Sequence, residues 1–287
     1  MALLALHDVR APAKLNAFLH VVGRRDDGYH LLESAMLLID WCDVLHLERR
    51  GDGRLARRDL GPPLPEDDLC LRAARALQAA SGSSFGADIS IDKQVPWGAG
   101  LGGGSSDAAS VLLALNRLWK LDWPRDRLAR IGLALGADVP FFLGRGAAFA
   151  QGVGERLTPI AIAPQWFAVL KPEAGLDTRA VFGSPLLGRT TEAARIEGFT
   201  GENGCAPWAF GRNDLQQAAE AACPEVAEAR AFLAARHGHA RMTGSGSAVF
   251  AWAGSGEEPA VAFHGVPHAG WAGRMCRSLA RHPLADW

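Results

Sequence analysis

Five of the seven residues at positions 98–104 are glycine, and this run constrains the fold more than any other feature of the sequence. Glycine loses much conformational freedom on folding, so such a run suits a backbone that needs unusual torsion angles or approaches another group closely. Alternating apolar residues over 87–93 predict a strand before the run, and helical spacing over 108–119 predicts a helix after it. The order is therefore strand, glycine-rich turn, helix.

A turn that opens a helix suits a phosphate ligand. The first N–H groups of a helix have no intrahelical partner and carry partial positive charge. Ser105 and Ser106 add hydroxyl donors, or one of them caps the helix. A flexible Gly-Ser connector is the alternative, but the strand and helix flank the turn tightly. We expect the turn, called the cradle below, to bind ATP through Pro96, Trp97, Gly98, Ala99, Gly100, Leu101, Gly102, Gly103, Gly104, Ser105 and Ser106.

Other nucleotide-binding folds fit less well. The chain has no G-x-x-x-x-G-K-[ST] sequence, and its first half lacks the parallel-sheet pattern of a dinucleotide-binding fold. Runs at 14–22, 30–39 and 44–49 predict an antiparallel meander instead. Asp67 or Asp68 can cap a helix that ends at Gly82, and a second helix is predicted over 125–135.

The second half mixes sheet and helix as well. Predicted strands lie at 166–170, 240–243 and 248–252, and predicted helices lie at 213–222 and 225–236. A soft boundary at 161–165 and the length of 287 residues favour two domains, 1–162 and 163–287. The fold class that we expect is α+β.

Composition excludes several classes of partner. Thirty Lys and Arg against 31 Asp and Glu give a formal charge of -1, so no global field recruits nucleic acid or an anionic membrane. Apolar stretches are too short to span a bilayer. The five cysteines are scattered and odd in number, which argues against a zinc site and a disulfide framework and favours the cytoplasm. The sequence leaves open whether the chain forms a homodimer.

Two charged residues are candidates for chemistry. Asp138 lies just past a predicted helix end and could act as the base in phosphoryl transfer, although Asp two residues before Pro140 is equally suited to cap a helix. Lys14 and Asn16 point to the same face of a predicted strand. Lys14 could stabilise the transferring group, or it could be an ordinary lysine at a strand edge.

Three blocks together closely resemble the GHMP kinases. They are 11–16 continuing to 28–30, 95–109 continuing through 135–140, and 242–250. The triple glycine before Ser-Ser-Asp, together with Leu-Gly-Ala-Asp-Val-Pro, resembles the motifs of one branch of this family. That branch phosphorylates a cytidyl-linked methylerythritol.

The resemblance implies two domains with the active site in the cleft between them, and a left-handed β-α-β crossover in the first. It implies that ATP, with Mg²⁺, phosphorylates the 2-hydroxyl of this small-molecule substrate on the non-mevalonate route to isopentenyl diphosphate. The block that contains the cradle and Asp138 offers no other obvious carboxylate ligand for the ion, so we name no metal-binding residue.

The resemblance also assigns roles to residues. Lys14 and Asp138 form the catalytic pair, and Asn16 helps to hold the substrate polyol. Tyr29 and His30 recognise the cytidine ring, one by stacking and one by hydrogen bonding, and Phe182 is a second aromatic wall. A closing loop covers the cradle and contains Gly244, Ser245, Gly246 and Ser247. The alternatives are core aromatics and a plain hairpin turn.

Two departures from the family pattern affect these expectations. Asp68 stands where relatives commonly carry Asn near the adenine, which puts adenine contacts there in doubt. The segment 174–211 fits the family poorly and is predicted to be a variable loop. Two other functions remain open: a GHMP kinase acting on homoserine, mevalonate or a sugar, and a non-catalytic binding module.

Overall fold

The computed structural model describes residues 3–194, 208 and 210–287. Its strands are β1 Ala5–Arg24, β2 His30–Arg50, β3 Leu55–Asp59, β4 Gly86–Asp92, β5 Ala148–Gly152, β6 Arg156–Pro159, β7 Trp166–Lys171, β8 Ala240–Met242, β9 Val249–Gly254 and β10 Ala272–Arg277. Its helices are α1 Leu69–Ser81, α2 Gly103–Leu118, α3 Arg125–Leu135, α4 Val139–Leu143, α5 Thr178–Gly183, α6 Gln216–Ala222 and α7 Pro224–His237.

A six-stranded sheet dominates the first half. Its order is β3-β4-β2-β5-β6, with β1 paired to β2 off this path. β3 and β4 are parallel and α1 connects them, whereas the other pairs are antiparallel. Helices α1 to α4 cover one side, where Leu77 and Leu112 share a buried cluster with Leu45 and Ile89 of the sheet.

The second half contains a four-stranded antiparallel sheet of order β10-β7-β9-β8. Leu215 and Leu233 of its helical segment pack against Leu170 and Val249 in one cluster. Another cluster joins the two halves, with Leu15 and Phe18 of β1 against Phe167 and Phe250 of the second sheet. Two sheets, each with its own helices, agree with the predicted α+β class, and the boundary at 162 stays a prediction.

The predicted meander was wrong in one respect. The runs at 30–39 and 44–49 are parts of a single strand, β2, which continues through Asp43. Asp43 is fully buried and accepts a hydrogen bond from Lys93, so a long-range partner satisfies a residue that normally disfavours strands. β1 is also longer than predicted, and its register shifts between Pro12 and Ala13.

The helix predictions agree with the structure except at two starts. α3 has the predicted bounds, and α1 is capped by Asp68, which accepts from the Leu71 amide at 3.0 Å. The alternative in which Ser105 or Ser106 caps α2 was wrong, because Gly102 occupies the cap position and both serines lie inside the first turn. α6 begins at Gln216 rather than at 213.

The segment 174–211 is only partly described. α5 lies within it, and residues 195–207 and 209, with Cys205, lie outside the described residues. Across the described ranges, no helix is both long enough and apolar enough to cross a membrane.

Candidate active site

The cradle encloses a cavity of about 290 Å³ at the N-terminus of α2. Residues 96–105 line it together with Leu69, Lys93 and Val95. Ser105 therefore faces the cavity, whereas Ser106 is fully buried and does not line it. The cavity lies where the first N–H groups of α2 are free of intrahelical partners, a setting that suits a phosphate group.

Two glycines allow close approaches around this cavity. Gly100 has a φ of +70°, and a Cβ placed on it would come within 2.2 Å of the Thr243 carbonyl oxygen. Gly102 has a φ of +73°, and its Cβ would meet the Phe142 ring at 2.9 Å and the Lys14 Cγ at 3.1 Å. Both the torsion angle and the space exclude a side chain, so the glycines permit contact with the second half and with Lys14.

Lys14 and Asp138 meet beside the cradle. The Lys14 Nζ lies 3.7 Å from the Asp138 Oδ2 and donates to the Asn16 Oδ1 at 2.5 Å, and the Lys14 backbone amide donates to the Leu101 carbonyl at 2.9 Å. The Lys14 side chain is 4% exposed and that of Asp138 is 38% exposed. Burial lowers the pKa of Lys14 below its ordinary value, and the charge of Asp138 partly opposes this effect.

Asp138 occupies the N-cap position of α4, as the capping alternative requires. Its side chain nevertheless makes no capping hydrogen bond. The carboxylate is therefore turned toward Lys14 and remains partly open to a ligand.

Asn16 belongs to a buried network. Its Nδ2 donates to the Ser34 Oγ at 2.7 Å, and its backbone amide donates to the Thr243 Oγ1 at 2.9 Å. Thr243, the residue before the closing loop, thus ties β1 to the second half. The sequence signal that could have revealed this role of Thr243 is its position next to the Gly-Ser motif.

The closing loop connects β8 to β9 and packs on the cradle. The Ser247 amide donates to the Gly98 carbonyl at 3.2 Å, and the Ala248 amide donates to the Ala99 carbonyl at 3.1 Å. The Ser247 hydroxyl donates to the Ala174 carbonyl at 2.6 Å. Ser245 faces Thr178 with 2.7 Å between their hydroxyl oxygens. The loop is thus both a hairpin connection and a contact between the two halves.

The aromatic cluster, Tyr29, His30 and Phe182, lies at the far end of the β1–β2 pair, where His30 is opposite Arg24. The His30 and Phe182 rings stack with centroids 5.2 Å apart at 29°. Tyr29 is 64% exposed, so it is not a core aromatic. The His30 Nε2 accepts a hydrogen bond from the Arg189 Nε at 3.2 Å, a partner that the sequence pattern did not suggest.

A buried ion-pair group supports the cradle and was also missed. The Lys93 Nζ donates to Asp43 and, at 2.7 Å, to the Asp107 Oδ2. Asp43 accepts from the backbone amides of Gln94 and Val95 at 2.6 and 2.8 Å. Burial tends to lower the pKa of Lys93, but the two carboxylates outweigh it and raise that pKa. The group fixes both the strand that enters the cradle and the helix that leaves it.

The concern over Asp68 has a structural answer. Asp68 caps α1 and pairs with the Arg57 Nη1 at 2.8 Å, so its carboxylate is committed within the protein. The next residue, Leu69, lines the cavity. Beside Asp68, the cavity is thus lined by Leu69 rather than by the Asp68 side chain.

Two family descriptions match the chain. The GHMP kinases N terminal domain matches residues 68–146, and the GHMP kinases C terminal domain matches residues 201–270. The first match contains the cradle and Asp138, and the second contains the closing loop.

The chain belongs to the GHMP kinases.

Curated GHMP kinases include relatives of high identity over the full length. The 4-diphosphocytidyl-2-C-methyl-D-erythritol kinase of Methylibium petroleiphilum is 63% identical, covering 100% of this chain and 99% of the relative. The enzyme of the same name from Paracidovorax citrulli is 54% identical, covering 98% and 97%.

Solved structures of GHMP kinases share the fold. A crystal structure of 4-(cytidine 5'-diphospho)-2C-methyl-D-erythritol kinase has a TM-score of 0.72 at 37% identity and covers 85% of this chain and 89% of its own. Homoserine kinase from Cytophaga hutchinsonii has a TM-score of 0.68 at 14% identity and covers 97% and 95%, which shows the fold alone. The chain is a kinase of this family with a mixed, two-domain architecture.

Proposed function

We propose that this kinase transfers the γ-phosphoryl group of ATP to the 2-hydroxyl of 4-diphosphocytidyl-2-C-methyl-D-erythritol, on the route to isopentenyl diphosphate. The observation that carries the proposal is the meeting of Lys14, Asp138 and the cradle at one place. The 63% identical relative that bears this name supports the choice of substrate. Partly exposed Asp138 is the group at that place that could accept a proton.

The chemistry follows from these positions. Asp138 accepts the proton of the 2-hydroxyl as the hydroxyl oxygen bonds to the γ-phosphorus. The bond from that phosphorus to the bridging oxygen of ADP breaks, and ADP leaves with the electron pair. Lys14 holds the Asp138 carboxylate and offers positive charge to the transferring group, and the cradle amides hold the phosphate chain.

Magnesium fits this site as an ion held mostly by the phosphates of ATP and by water. Among the described residues, no group of three His, Cys, Asp or Glu side chains could hold a metal. Mg²⁺ commonly keeps phosphate and water ligands and takes few from the protein. Ser105, which lines the cavity, is the hydroxyl that we propose to reach the ion. The ion would neutralise phosphate charge.

At the other end, we propose that Tyr29 and Phe182 flank the cytosine ring and that His30 bonds to its edge, while Asn16 contacts the polyol. The exposure of Tyr29 supports this, because an exposed aromatic ring is free to stack on a ligand. The closing loop would cover the phosphates. The described cysteines, Cys42, Cys70, Cys223 and Cys276, are unpaired, which supports a cytoplasmic location.

A test of the proposal offers the purified full chain ATP and Mg²⁺ with one acceptor at a time: the cytidyl-linked methylerythritol, mevalonate or homoserine. ADP release is measured, and methylerythritol 4-phosphate serves as the matched acceptor without the cytidyl group. We expect turnover with the cytidyl substrate only. Turnover of mevalonate or homoserine in its place would assign the chain to another branch, and no turnover of any acceptor would favour a binding module.

A further inference from the structure

Arg189 contacts the edge of His30 in a way that defines the state of the imidazole. The Arg189 Nε lies 3.2 Å from the His30 Nε2. A guanidinium has five N–H donors, no acceptor, and a permanent charge. The His30 Nε2 must therefore present its lone pair, and a neutral ring then carries its proton on Nδ1.

The same segment holds the ring from a second direction. Phe182, seven positions earlier in the chain, stacks on the His30 face. Arg189 is itself held by its Nη1 on the Leu187 carbonyl and its Nη2 on the Ser184 carbonyl, both at 3.4 Å. Leu187 is buried in the core cluster that includes Val21 of β1. The face and one edge of His30 are thus fixed to the body of the protein.

We propose that Arg189 is a positioning residue that holds His30 as the neutral tautomer with its proton on Nδ1, so that this N–H donates to an acceptor on the nucleobase. The assignment of that base to cytosine rests on the proposed function. Cytosine presents two acceptors, O2 and N3, on the edge that pairs with guanine, and a single fixed donor matches either one. The role of Arg189 is indirect, since it acts through His30.

The charges around His30 favour the same state. Burial lowers the pKa of His30, and the positive charges of Arg189 and Arg24 lower it further. Arg24, on β1, is held by its Nε on the Gly28 carbonyl at 3.1 Å. Protonation would place a second N–H against the Arg189 N–H, so the geometry and the charges both oppose it.

Nitrogen-15 NMR of the histidine side chains in the full chain, without ligand, tests the tautomer directly. The His30 signals are assigned by their loss in His30→Gln. We expect the Nδ1-protonated form in the wild type. In Arg189→Leu we expect a shift toward the Nε2-protonated form and a rise in the His30 pKa. The control is Arg179→Leu, which alters an exposed arginine on α5 and should change neither.

A kinetic cycle tests the consequence for substrate. Arg189→Leu should raise KM for the cytidyl substrate about 3- to 10-fold, the effect of one hydrogen bond, with KM for ATP and kcat little changed. In a His30→Ala background the same change should have no further effect, because Ala has no side-chain donor for Arg189 to position. A loss that persists in that background would show that Arg189 contacts the substrate itself and would overturn the proposal.

The two readouts separate this inference from the proposed function. If the wild type does not turn over the cytidyl substrate, the proposed function fails, and the NMR comparison still decides whether Arg189 sets the state of His30. A wild-type spectrum of the Nε2-protonated form, or a His30 spectrum unchanged in Arg189→Leu, would overturn the inference even if turnover is normal.

Discussion

The cradle and the aromatic cluster differ in what holds them in place. The cradle is backbone, fixed by the buried Lys93 group beneath it and by the closing loop bonded to its carbonyls. The aromatic cluster is made of side chains, with Tyr29 64% exposed and His30 held by residues of another segment. The difference teaches that the cradle is built as part of the core, whereas the aromatic cluster can change without disturbing the fold.

Because the two regions are held differently, we expect variants in the cradle and variants in the aromatic cluster to lose different properties. Changes under the cradle should lower the stability of the whole protein, and changes in the aromatic cluster should alter one ligand alone. Asp138 pairs with Lys14 beside the cradle, and a change there should affect the chemical step without either loss.

The largest expected effect is on turnover. Asp138→Asn should lower kcat about 10²- to 10⁴-fold, the range for a general base, while nucleotide affinity changes little. Steady-state kinetics and nucleotide titration measure the two properties. Asp126→Asn, at an exposed acid in the first turn of α3, is the matched control and should keep its activity. Near-normal turnover in Asp138→Asn would leave Asp138 a structural residue of α4.

The next effect is on stability beneath the cradle. Lys93→Met leaves two buried carboxylates without their cation and should lower the free energy of unfolding by about 3–5 kcal/mol. Urea unfolding measures it. Arg75→Met breaks the exposed pair with Asp67 and should cost at most about 1 kcal/mol. Equal losses of unfolding free energy in the two variants would contradict the claim that the buried Lys93 group stabilises the cradle.

A smaller effect is expected where the cradle meets the second half. Gly100→Ala would place a Cβ against the Thr243 carbonyl and should cost about 1–3 kcal/mol of stability through overpacking. It should also weaken ATP binding, because the closing loop must move. Gly82→Ala is the control, since Gly82 has a similar φ of +66° with open space around it. If both variants bind ATP like the wild type, the contact between the closing loop and the cradle is not needed for nucleotide binding.

The effect confined to a single ligand belongs to the aromatic cluster. Tyr29→Ala should raise KM for the cytidyl substrate and leave KM for ATP unchanged. The expected rise corresponds to the loss of one base stack, about 1–3 kcal/mol of binding free energy. The melting temperature should stay close to that of the wild type, because Tyr29 is mostly exposed. Equal losses for both ligands, with a lower melting temperature, would make Tyr29 part of the fold.

Local sequence signals predicted the elements that local interactions define. The bounds of α3 and the cap of α1 at Asp68 followed from apolar spacing and capping residues. β2 was split because Asp43 disfavours a strand, and its contacts with Lys93 and with the Gln94 and Val95 amides, 50 to 52 positions away, explain why the strand continues. The parallel β3–β4 pair was likewise hidden, because the pattern of each strand does not show which neighbour it pairs with.

The site divides in the same way. Motifs placed Lys14, Asp138, the cradle and the closing loop in the chain, and the structure brings them together. Arg189 had no motif of its own, and Thr243 lay in the block 242–250 without an assigned role, because each acts through a residue more than 150 positions away. Whether Asp138 is a base or a cap was open from the sequence, and the absence of a capping bond now favours the first.

The central claim is that phosphoryl transfer takes place where the cradle, Lys14 and Asp138 meet. A crystal structure with a non-hydrolysable ATP analogue and the cytidyl substrate tests it most directly. We predict the γ-phosphate at the cradle beside Lys14, and the 2-hydroxyl within about 2.6–3.2 Å of the Asp138 carboxylate, the reach of a general base. A γ-phosphate bound away from the cradle, or a 2-hydroxyl facing away from Asp138, would contradict the account.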